Sequence, residues 1–282
     1  MPLIVSTTSP GISENTKGVW LYKNSGENNN PNFNYFQDDF LQGQMIENGK
    51  GAIPICVDVN DDGLQDLLVA NNYNFRESQP NSSRINYYKN IGTSSSPAFQ
   101  LMNKNWQNFS NSGFNGRGSP TFGDVNNDGN LDMIIGLVNG KLYFYENPGG
   151  PGSMNFSIAQ VQLQDDMGNN ITVPSYTTPE LFDLNNDGLL DLIIGQNLGG
   201  LVYYENVGTP TNYSFQLKNT DIGDVDLSSS LYVQSCGVPR FVRTDDETYL
   251  IAGNRTGSIS LYDDIDDNLS SGDAFNLISP TY

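Results

Sequence analysis

The stretch that decides the fold runs from residue 120 to residue 135 and reads PTFGDVNNDGNLDMII. It combines a central run of Asp, Asn and Gly with a short apolar run, Met133-Ile134-Ile135. Polar turn residues between short apolar runs are typical of a tight connection between two strands. The same pattern recurs at 54–69, which reads PICVDVNDDGLQDLLV, and at 179–194, which reads PELFDLNNDGLLDLII. The chain therefore carries an internal repeat.

A second marker, an alternating aromatic segment that ends in a polar residue, occurs five times. The tyrosine near the end of each segment is Tyr22, Tyr88, Tyr145, Tyr204 or Tyr262. A further short strand signal follows each segment, at 33–36, 98–101, 156–159, 213–217 and 274–277. Each complete unit thus has four short strands, and one such sheet cannot bury both faces until neighbours stack on it. We expect an all-β chain folded as a β-propeller of four-stranded antiparallel blades, with a β-solenoid as the structural alternative.

Five units are visible in one propeller segment, and the first is incomplete. Their approximate bounds within residues 1–282 are 1–39, 52–103, 118–163, 177–218 and 237–279. Leu3-Ile4-Val5 matches the second strand of the other units, and nothing before it could supply the first strand. We therefore expect the chain to start in the middle of a blade, as a fragment, a processed product or the ordered part of a longer protein.

Composition narrows the functions that the chain could have. The formal net charge of −19 would repel nucleic acid and anionic membrane surfaces, so cations are the expected counterpart. The chain has no histidine, which removes the usual general base and the commonest zinc ligand. No apolar run reaches the about 18 residues that a membrane-spanning helix needs. Cys56 and Cys236 are expected to be buried free thiols, although one disulfide bridge stays open.

The centre of each repeat has the pattern Asp-x-Asn-x-Asp-Gly-x-x-Asp, which places oxygen ligands at alternate positions. Calcium takes about six to eight oxygen ligands, and the glycine permits the sharp turn that folds one short loop around the ion. The residue after the glycine would contribute only its backbone carbonyl. The predicted ligands of three calcium sites are Asp58, Asn60, Asp62, Leu64 and Asp66, then Asp124, Asn126, Asp128, Asn130 and Asp132, then Asp183, Asn185, Asp187, Leu189 and Asp191.

Two alternatives to a calcium loop follow from the same residues. An EF-hand loop has a similar first half, but here the closing carboxylate is the ninth residue and strands flank the loop. Asp-Asn-Gly clusters also form ordinary hairpin turns without a metal. Three complete copies favour calcium, because the three carboxylates of each loop would repel one another without a cation. In the fifth unit Arg243-Thr244-Asp245-Asp246-Glu247 replaces the pattern, so we expect no calcium there.

A further acidic run, Asp263-Asp264 with Asp266-Asp267, lacks the glycine and the closing Asp. We expect it to form a solvated turn before the final strand.

These units resemble the FG-GAP or VCBS-type repeats of integrin α-subunit propellers and of many bacterial surface proteins. The resemblance covers nearly the whole chain. It implies calcium-binding loops on one face of the propeller, between the innermost strand and the second strand of each blade. Those propellers usually have more blades than the five units seen here, which leaves the closure of the propeller open.

The resemblance also implies a secreted or cell-surface protein, outer-membrane-associated or extracellular if bacterial. The Asn-rich loops and the Tyr-Glu-Asn strand endings are similar to those of bacterial proteins that use type IX secretion. The N-terminus lacks the basic start and the apolar length of a signal peptide. The chain is therefore either cytoplasmic or has lost its targeting segment, and the repeats favour loss.

The connections on the face opposite the acidic loops vary most. Extra residues lie within 72–83, and the next connection carries several aromatic residues. Aromatic and arginine clusters are typical of binding hot spots when they are exposed. Alternatively, these aromatics pack under their own loop as a small core. The candidate partner-binding residues are Arg76, Trp106, Phe109, Phe114 and Arg117.

The favoured function is a calcium-stabilised interaction or adhesion module that binds a protein or a glycan without catalysis, either alone or in a larger surface or secretion complex. The rival is a carboxylate-based enzyme such as a glycosidase or a lyase, which needs no histidine. Its acids would be Asp165, Asp166 and Asp224, converging on a central pocket. A third possibility is a structural plug or spacer domain in a bacterial outer-membrane or surface assembly.

Overall fold

The computed structural model describes residues 3–6, 19–27, 30–37, 46, 48, 51–71, 83–111, 118–149, 154–156, 161–228 and 235–279. Within them, nineteen strands form five antiparallel sheets, each built from strands that are consecutive in the chain. Four of the sheets have four strands. The prediction of an all-β chain with four-stranded antiparallel blades is confirmed.

The five sheets are numbered as blades in chain order. Blade 1 has three strands, β1 (Leu3–Ser6), β2 (Val19–Asn24) and β3 (Phe33–Gln37). Blade 2 comprises β4 (Ile53–Val57), β5 (Asp66–Ala70), β6 (Ile85–Asn90) and β7 (Phe99–Asn103). Blade 3 comprises β8 (Gly118–Gly123), β9 (Asp132–Leu137), β10 (Leu142–Tyr145) and β11 (Val161–Gln162).

The last two blades repeat this order. Blade 4 comprises β12 (Thr178–Phe182), β13 (Asp191–Gly195), β14 (Leu201–Asn206) and β15 (Phe215–Asn219). Blade 5 comprises β16 (Val238–Arg243), β17 (Thr248–Gly253), β18 (Ile259–Asp263) and β19 (Asn276–Ser279). The first strands of blades 2 to 5 contact one another in sequence, β4 with β8, β8 with β12 and β12 with β16. This is the arrangement of a propeller, in which the first strands lie innermost.

The apolar run after each acidic loop forms a strand that is buried on both faces. All five residues of β13 are buried. Because successive side chains of a strand point to opposite faces, Ile193 enters the core between blades 4 and 5, while Leu192 and Ile194 enter the core between blades 3 and 4. Continuous apolar runs therefore follow from blades that stack on both sides.

Blade 1 begins with a strand in the position of a second strand. Leu3 of β1 lies opposite Tyr22 of β2, just as Leu67 of β5 lies opposite Tyr88 of β6. The match of Leu3-Ile4-Val5 to the second strand of the other units is therefore reproduced in the strand pairing.

Three local expectations are wrong. The fourth strand of blade 3 is β11, not the segment that starts at Phe156; Phe156 lies outside a strand with its side chain in the core between blades 2 and 3, and 157–159 lie outside the described residues. The acidic run after β18 forms a helix, α1 (Ile265–Ser271), rather than a turn. Both cysteines are free, but Cys56 is exposed and only Cys236 is buried.

Blades 4 and 5 are also joined by short helical segments. A single turn at Ile222–Asp224 packs against α1. None of the helices in the described part of the chain has the length and hydropathy of a membrane span.

Candidate metal-binding loops

Three acidic loops connect the first and second strands of blades 2, 3 and 4. The blade-2 loop spans 58–66, the blade-3 loop 124–132 and the blade-4 loop 183–191. In each loop the ninth residue begins the second strand, and its side chain is withdrawn from solvent. These residues are Asp66, Asp132 and Asp191, each with 0% exposure.

The first Asp of each loop holds the turn through both of its oxygens. Asp124 Oδ1 accepts a hydrogen bond from the backbone N–H of Asp128 at 3.1 Å, and Oδ2 accepts one from Gly129 at 2.9 Å. Asp58 and Asp183 make the same two bonds at 2.8 to 3.2 Å. The three loops therefore share one backbone path.

Left-handed backbone makes the turn possible. The glycines at the sixth position, Gly63, Gly129 and Gly188, have φ angles of 81° to 86°. A residue with a Cβ atom is strained in this region, whereas glycine is not. The glycine of the sequence pattern is thus a conformational requirement of the loop.

The buried ninth carboxylate ties each loop to the third strand of its blade. Asp191 Oδ1 accepts a hydrogen bond from the backbone N–H of Asn206 at 2.8 Å. Its Oδ2 accepts bonds from the Tyr203 hydroxyl at 3.0 Å and from the Leu184 N–H at 3.1 Å. Burial raises the pKa of Asp191 to about 6, although these donors favour the charged form.

The corresponding carboxyl of blade 3 has a similar shift. Burial raises the pKa of Asp132 to about 6, the backbone N–H groups of Asn147 and Val125 lower it, and repulsion from Asp128 and Asp124 raises it further. In both loops a negative charge is held in a place from which water is excluded. A bound cation would remove this penalty.

The other predicted ligands lie within the same turns. In every loop the Asp at position 5 accepts a hydrogen bond from the backbone N–H of the residue at position 7. The donors are Leu64 at 3.1 Å, Asn130 at 2.8 Å and Leu189 at 2.9 Å. The Asn at position 3 accepts a bond from the backbone N–H at position 5 in two loops, from Asp128 to Asn126 Oδ1 and from Asp187 to Asn185 Oδ1, both at 3.1 Å. Asn60 differs, because its amide nitrogen donates to Asp66 Oδ2 at 3.0 Å.

Amide and carbonyl oxygens would have to complete any cation site in these loops. Among the described residues, no three Cys, Asp or Glu side chains form a group that could hold a metal ion. A cation in these loops would therefore draw on amide and carbonyl oxygens as well as carboxylates, which calcium accepts. Two buried acceptors of the blade-3 loop, Asn130 Oδ1 and Asp132 Oδ2, have no hydrogen-bond partner among the described residues. The residues present thus fit such a cation.

Blade 5 has a guanidinium where the other blades have the first Asp. Arg243 ends β16, and its Nη1 donates to the backbone oxygen of Asp183 in blade 4 at 2.8 Å. Its Nε donates to Thr248 Oγ1 at 3.1 Å, and its Nη2 lies 3.6 Å from Asp266 Oδ1. Sequence reasoning identified the loss of the calcium pattern here but missed this bridge between two blades. The only signal was an arginine at the first ligand position.

A cleft of about 740 Å³ opens between blades 4 and 5 beside these loops. Its lining includes Asn185 of the blade-4 loop, Lys218, Arg243, Glu247 and Asp266. Sequence reasoning missed this cleft, because its walls come from two blades and from α1. It can offer hydrogen-bond donors and acceptors of both charges to a ligand.

Comparison with protein families supports the assignment of the repeats. The FG-GAP-like repeat model matches residues 58–135 and 124–194, which contain all three acidic loops. Residues 58–194 of this propeller are FG-GAP-like repeats. No curated protein matches it.

The chain is also similar to the solved structure of a lectin from Agrocybe aegerita, described by its specific recognition of non-reducing terminal N-acetylglucosamine. The two share 15% sequence identity with a TM-score of 0.42, over 100% of this chain and 67% of that chain.

Two of the aromatic residues proposed as partner contacts are described, and both are buried. Trp106 and Phe109 are each 6% exposed and belong to the core between blades 2 and 3. The Trp106 ring lies 5.9 Å from that of Phe156 and 6.3 Å from that of Phe122. These two residues therefore pack as a small core between blades 2 and 3, which was the alternative to an exposed binding cluster, and a role in binding a partner stays a prediction. Arg76, Phe114 and Arg117 lie outside the described residues.

The three acids considered for an enzyme are not brought together around the cleft. Asp165 Oδ1 accepts bonds from the N–H groups of Met167 and Asn169, at 3.0 and 2.7 Å, and so closes a local turn. Asp166 Oδ2 accepts a bond from Gln216 Nε2 at 2.8 Å. Neither of these two nor Asp224 lines the cleft between blades 4 and 5.

Proposed function

We propose that this chain is a calcium-binding β-propeller interaction module, which binds a protein or a glycan outside the cell or at its surface. The observation that carries the proposal is one loop built three times, with the same left-handed glycine and the same buried ninth carboxylate. A hairpin turn by itself does not require three carboxylates within nine residues.

Each cation would be held by the side chains at positions 1, 3, 5 and 9 of its loop and by the backbone carbonyl at position 7. It would neutralise carboxylates that otherwise repel one another. Because Asp191 also binds the backbone of Asn206 in β14, a cation beside this carboxylate would tie the loop more firmly to its blade. An ion that binds only the folded chain stabilises that form.

The proposed location follows from the affinity of such loops. A short loop with three carboxylates and no twelfth-position glutamate suits a weak calcium site, and the millimolar calcium found outside cells would fill it. A net charge of −19 also leaves calcium, rather than an anionic polymer, as the natural counterpart.

The cleft between blades 4 and 5 supports a role in binding. Asn185 belongs both to the blade-4 loop and to the wall of the cleft. Calcium in this loop would therefore hold one wall of the cleft in place. A ligand would then lose less binding free energy in ordering that wall. The mixture of Lys218, Arg243, Glu247 and Asp266 suits a polar protein surface or a glycan.

Thermal unfolding of the whole chain in millimolar calcium and in excess chelator tests the calcium function. At a concentration about 100-fold above the dissociation constant, one site adds about 2.7 kcal/mol, so we expect calcium to raise the melting temperature by about 5–10 °C. Asp128→Ala should reduce this shift, whereas Asp245→Ala in the blade-5 hairpin should leave it unchanged. Equal melting temperatures in calcium and in chelator would reject the proposal.

A further inference from the structure

The three acidic loops differ in how many hydrogen bonds their buried carboxylates already accept. In the blade-2 loop, Asp66 Oδ2 accepts bonds from the Asn60 amide and the Tyr87 hydroxyl, both at 3.0 Å, and from the Val59 N–H at 3.2 Å. Asp66 Oδ1 accepts one from the Asn90 N–H at 2.7 Å. A carboxylate has about four acceptor sites, two on each oxygen, so Asp66 Oδ2 has none left and Oδ1 has one.

The buried carboxylate of the blade-4 loop accepts one hydrogen bond fewer than that of the blade-2 loop. Asp191 accepts bonds from the Leu184 N–H, the Tyr203 hydroxyl and the Asn206 N–H. As in blade 2, a tyrosine hydroxyl occupies its Oδ2.

The blade-3 carboxylate has the fewest donors of the three. Asp132 Oδ1 accepts a bond from the Asn147 N–H at 2.9 Å. The Val125 N–H also favours the charged form of this carboxylate, but Oδ2 has no hydrogen bond of normal geometry in the described part of the chain. The residue is nevertheless 0% exposed. Asn130 Oδ1, two residues earlier, is a second buried acceptor without a donor. An unpaired buried acceptor costs about 1–3 kcal/mol, and more if it is charged.

One aromatic residue of the third strand accounts for much of this difference. Tyr87 lies opposite Leu68, and Tyr203 lies opposite Ile193 in the same register. The residue at this position in blade 3 is Phe144, opposite Ile134. Phenylalanine has no hydroxyl, so it cannot donate to Asp132 as the tyrosines do to Asp66 and Asp191.

The blade-2 loop also has a built-in positive charge. Lys89 Nζ lies 3.1 Å from Asp62 Oδ2. The corresponding positions in blades 3 and 4 hold Glu146 and Glu205. A cation that entered the blade-2 loop would therefore compete with a lysine as well as with a tyrosine.

We propose that the blade-3 loop is the tightest calcium site of the chain, the blade-4 loop the next and the blade-2 loop the weakest. This ranking rests on the calcium function proposed above. Tyr87 and Tyr203 determine this ranking, because their hydroxyls donate to carboxylate oxygens that a cation would otherwise use. Phe144 has no hydroxyl and makes no such bond to Asp132 Oδ2. These three aromatics are affinity-determining residues that do not themselves touch the ion.

Calorimetric titration of the metal-free whole chain with calcium tests the ranking. The first Asp of each loop is replaced in turn by Asn, as Asp58→Asn, Asp124→Asn and Asp183→Asn. We expect Asp124→Asn to remove the tightest binding event, and the other two to remove weaker ones. The ranking is wrong if Asp58→Asn or Asp183→Asn removes the tightest event.

Phe144→Tyr tests the role of the aromatic residue. We expect it to weaken calcium binding at the tightest site about tenfold and to raise the melting temperature in chelator, because the new hydroxyl can satisfy Asp132 Oδ2. A variant that merely folds poorly would melt lower in chelator. Tyr203→Phe is the matched reverse change, and should strengthen the blade-4 site several-fold while lowering the melting temperature in chelator.

Two results separate this inference from the proposed function. If calcium binds but Phe144→Tyr leaves the affinity unchanged or raises it, the aromatic ranking is overturned and the calcium module stands. If the unsubstituted chain binds no calcium, both fail.

Discussion

Arg243 of blade 5 donates a hydrogen bond to the backbone oxygen of Asp183, the first residue of the acidic loop in blade 4, over 2.8 Å. The same guanidinium lies 5.0 Å from the ring centroid of Phe182 and 3.6 Å from Asp266 Oδ1. Blade 5 lacks the acidic loop pattern and instead places a permanent cation between its own strands and the loop of its neighbour. This cation cannot be removed by a chelator.

Arg243→Met should lower the free energy of unfolding by about 2 kcal/mol, because hydrogen bonds from a charged donor to Asp183 and Thr248 are lost. The loss should be equal in calcium and in chelator, as measured by urea denaturation. Lys141→Met, at an exposed position of blade 3, is the control and should have little effect. A loss that appeared only in calcium would contradict the assignment of Arg243 as a fixed cation.

Glu180 should make stability depend on pH. It is 6% exposed, Oε1 accepts a bond from the Phe241 N–H at 3.0 Å, and Oε2 lies 3.9 Å from Arg240 Nη1. Burial raises the pKa of Glu180 to about 8, although Arg240 lowers it. Between these two values the Glu180 side chain is protonated in the folded chain but ionised in the unfolded chain, where the pKa of a glutamate is about 4.3. The free energy of unfolding should fall as the pH rises from about 5 through 8.

Urea midpoints between pH 7 and 9, in calcium, measure this effect above the range in which Asp132 and Asp191 titrate. Glu180→Gln carries no charge at any pH, so its midpoint should fall less over this range, and the variant should be the more stable chain at pH 9. Parallel curves for the two chains would show that Glu180 is ionised in the folded protein at pH 7.

Gly195 marks a close approach of two blades. A Cβ atom at this position would overlap the backbone oxygen of Gly237 and the hydroxyl of Thr178. Gly253 holds the same register position in blade 5, opposite Val238 as Gly195 is opposite Thr178, and a Cβ atom there meets nothing within 4 Å. Gly195→Ala should cost about 1–3 kcal/mol of stability, and Gly253→Ala should be nearly neutral. Equal midpoints in urea for the two variants would refute the close approach.

Trp106 should behave as a core residue rather than a partner contact. Its removal opens space among Phe109, Phe122 and Phe156, so Trp106→Ala should cost about 3–5 kcal/mol in urea denaturation. Phe99→Ala, on the outer strand β7 with 40% exposure, is the aromatic control and should cost less than about 1 kcal/mol. A small loss at Trp106 would restore the exposed-cluster hypothesis.

Strands were predictable where a local pattern is strong and repeated. The aromatic segments that contain Tyr88 and Tyr204 coincide with β6 and β14, because buried third strands need a fixed alternation. The outer strand of blade 3 was misplaced by several residues. Outer strands have one neighbour and an exposed face, so their sequences constrain their position weakly, and the apolar Phe156 was recruited by the core instead.

The amino-acid sequence alone determined the four-stranded unit, the antiparallel order and the three acidic loops, since each depends on residues within about a dozen positions of one another. Only the tertiary structure decided which aromatics are buried between blades, that Arg243 reaches Asp183, and that Asp132 lacks the hydroxyl that Asp66 and Asp191 receive. These relationships join residues on different strands or blades. Whether a carboxylate is partnered depends on the strand register and on blade stacking, which no local pattern specifies.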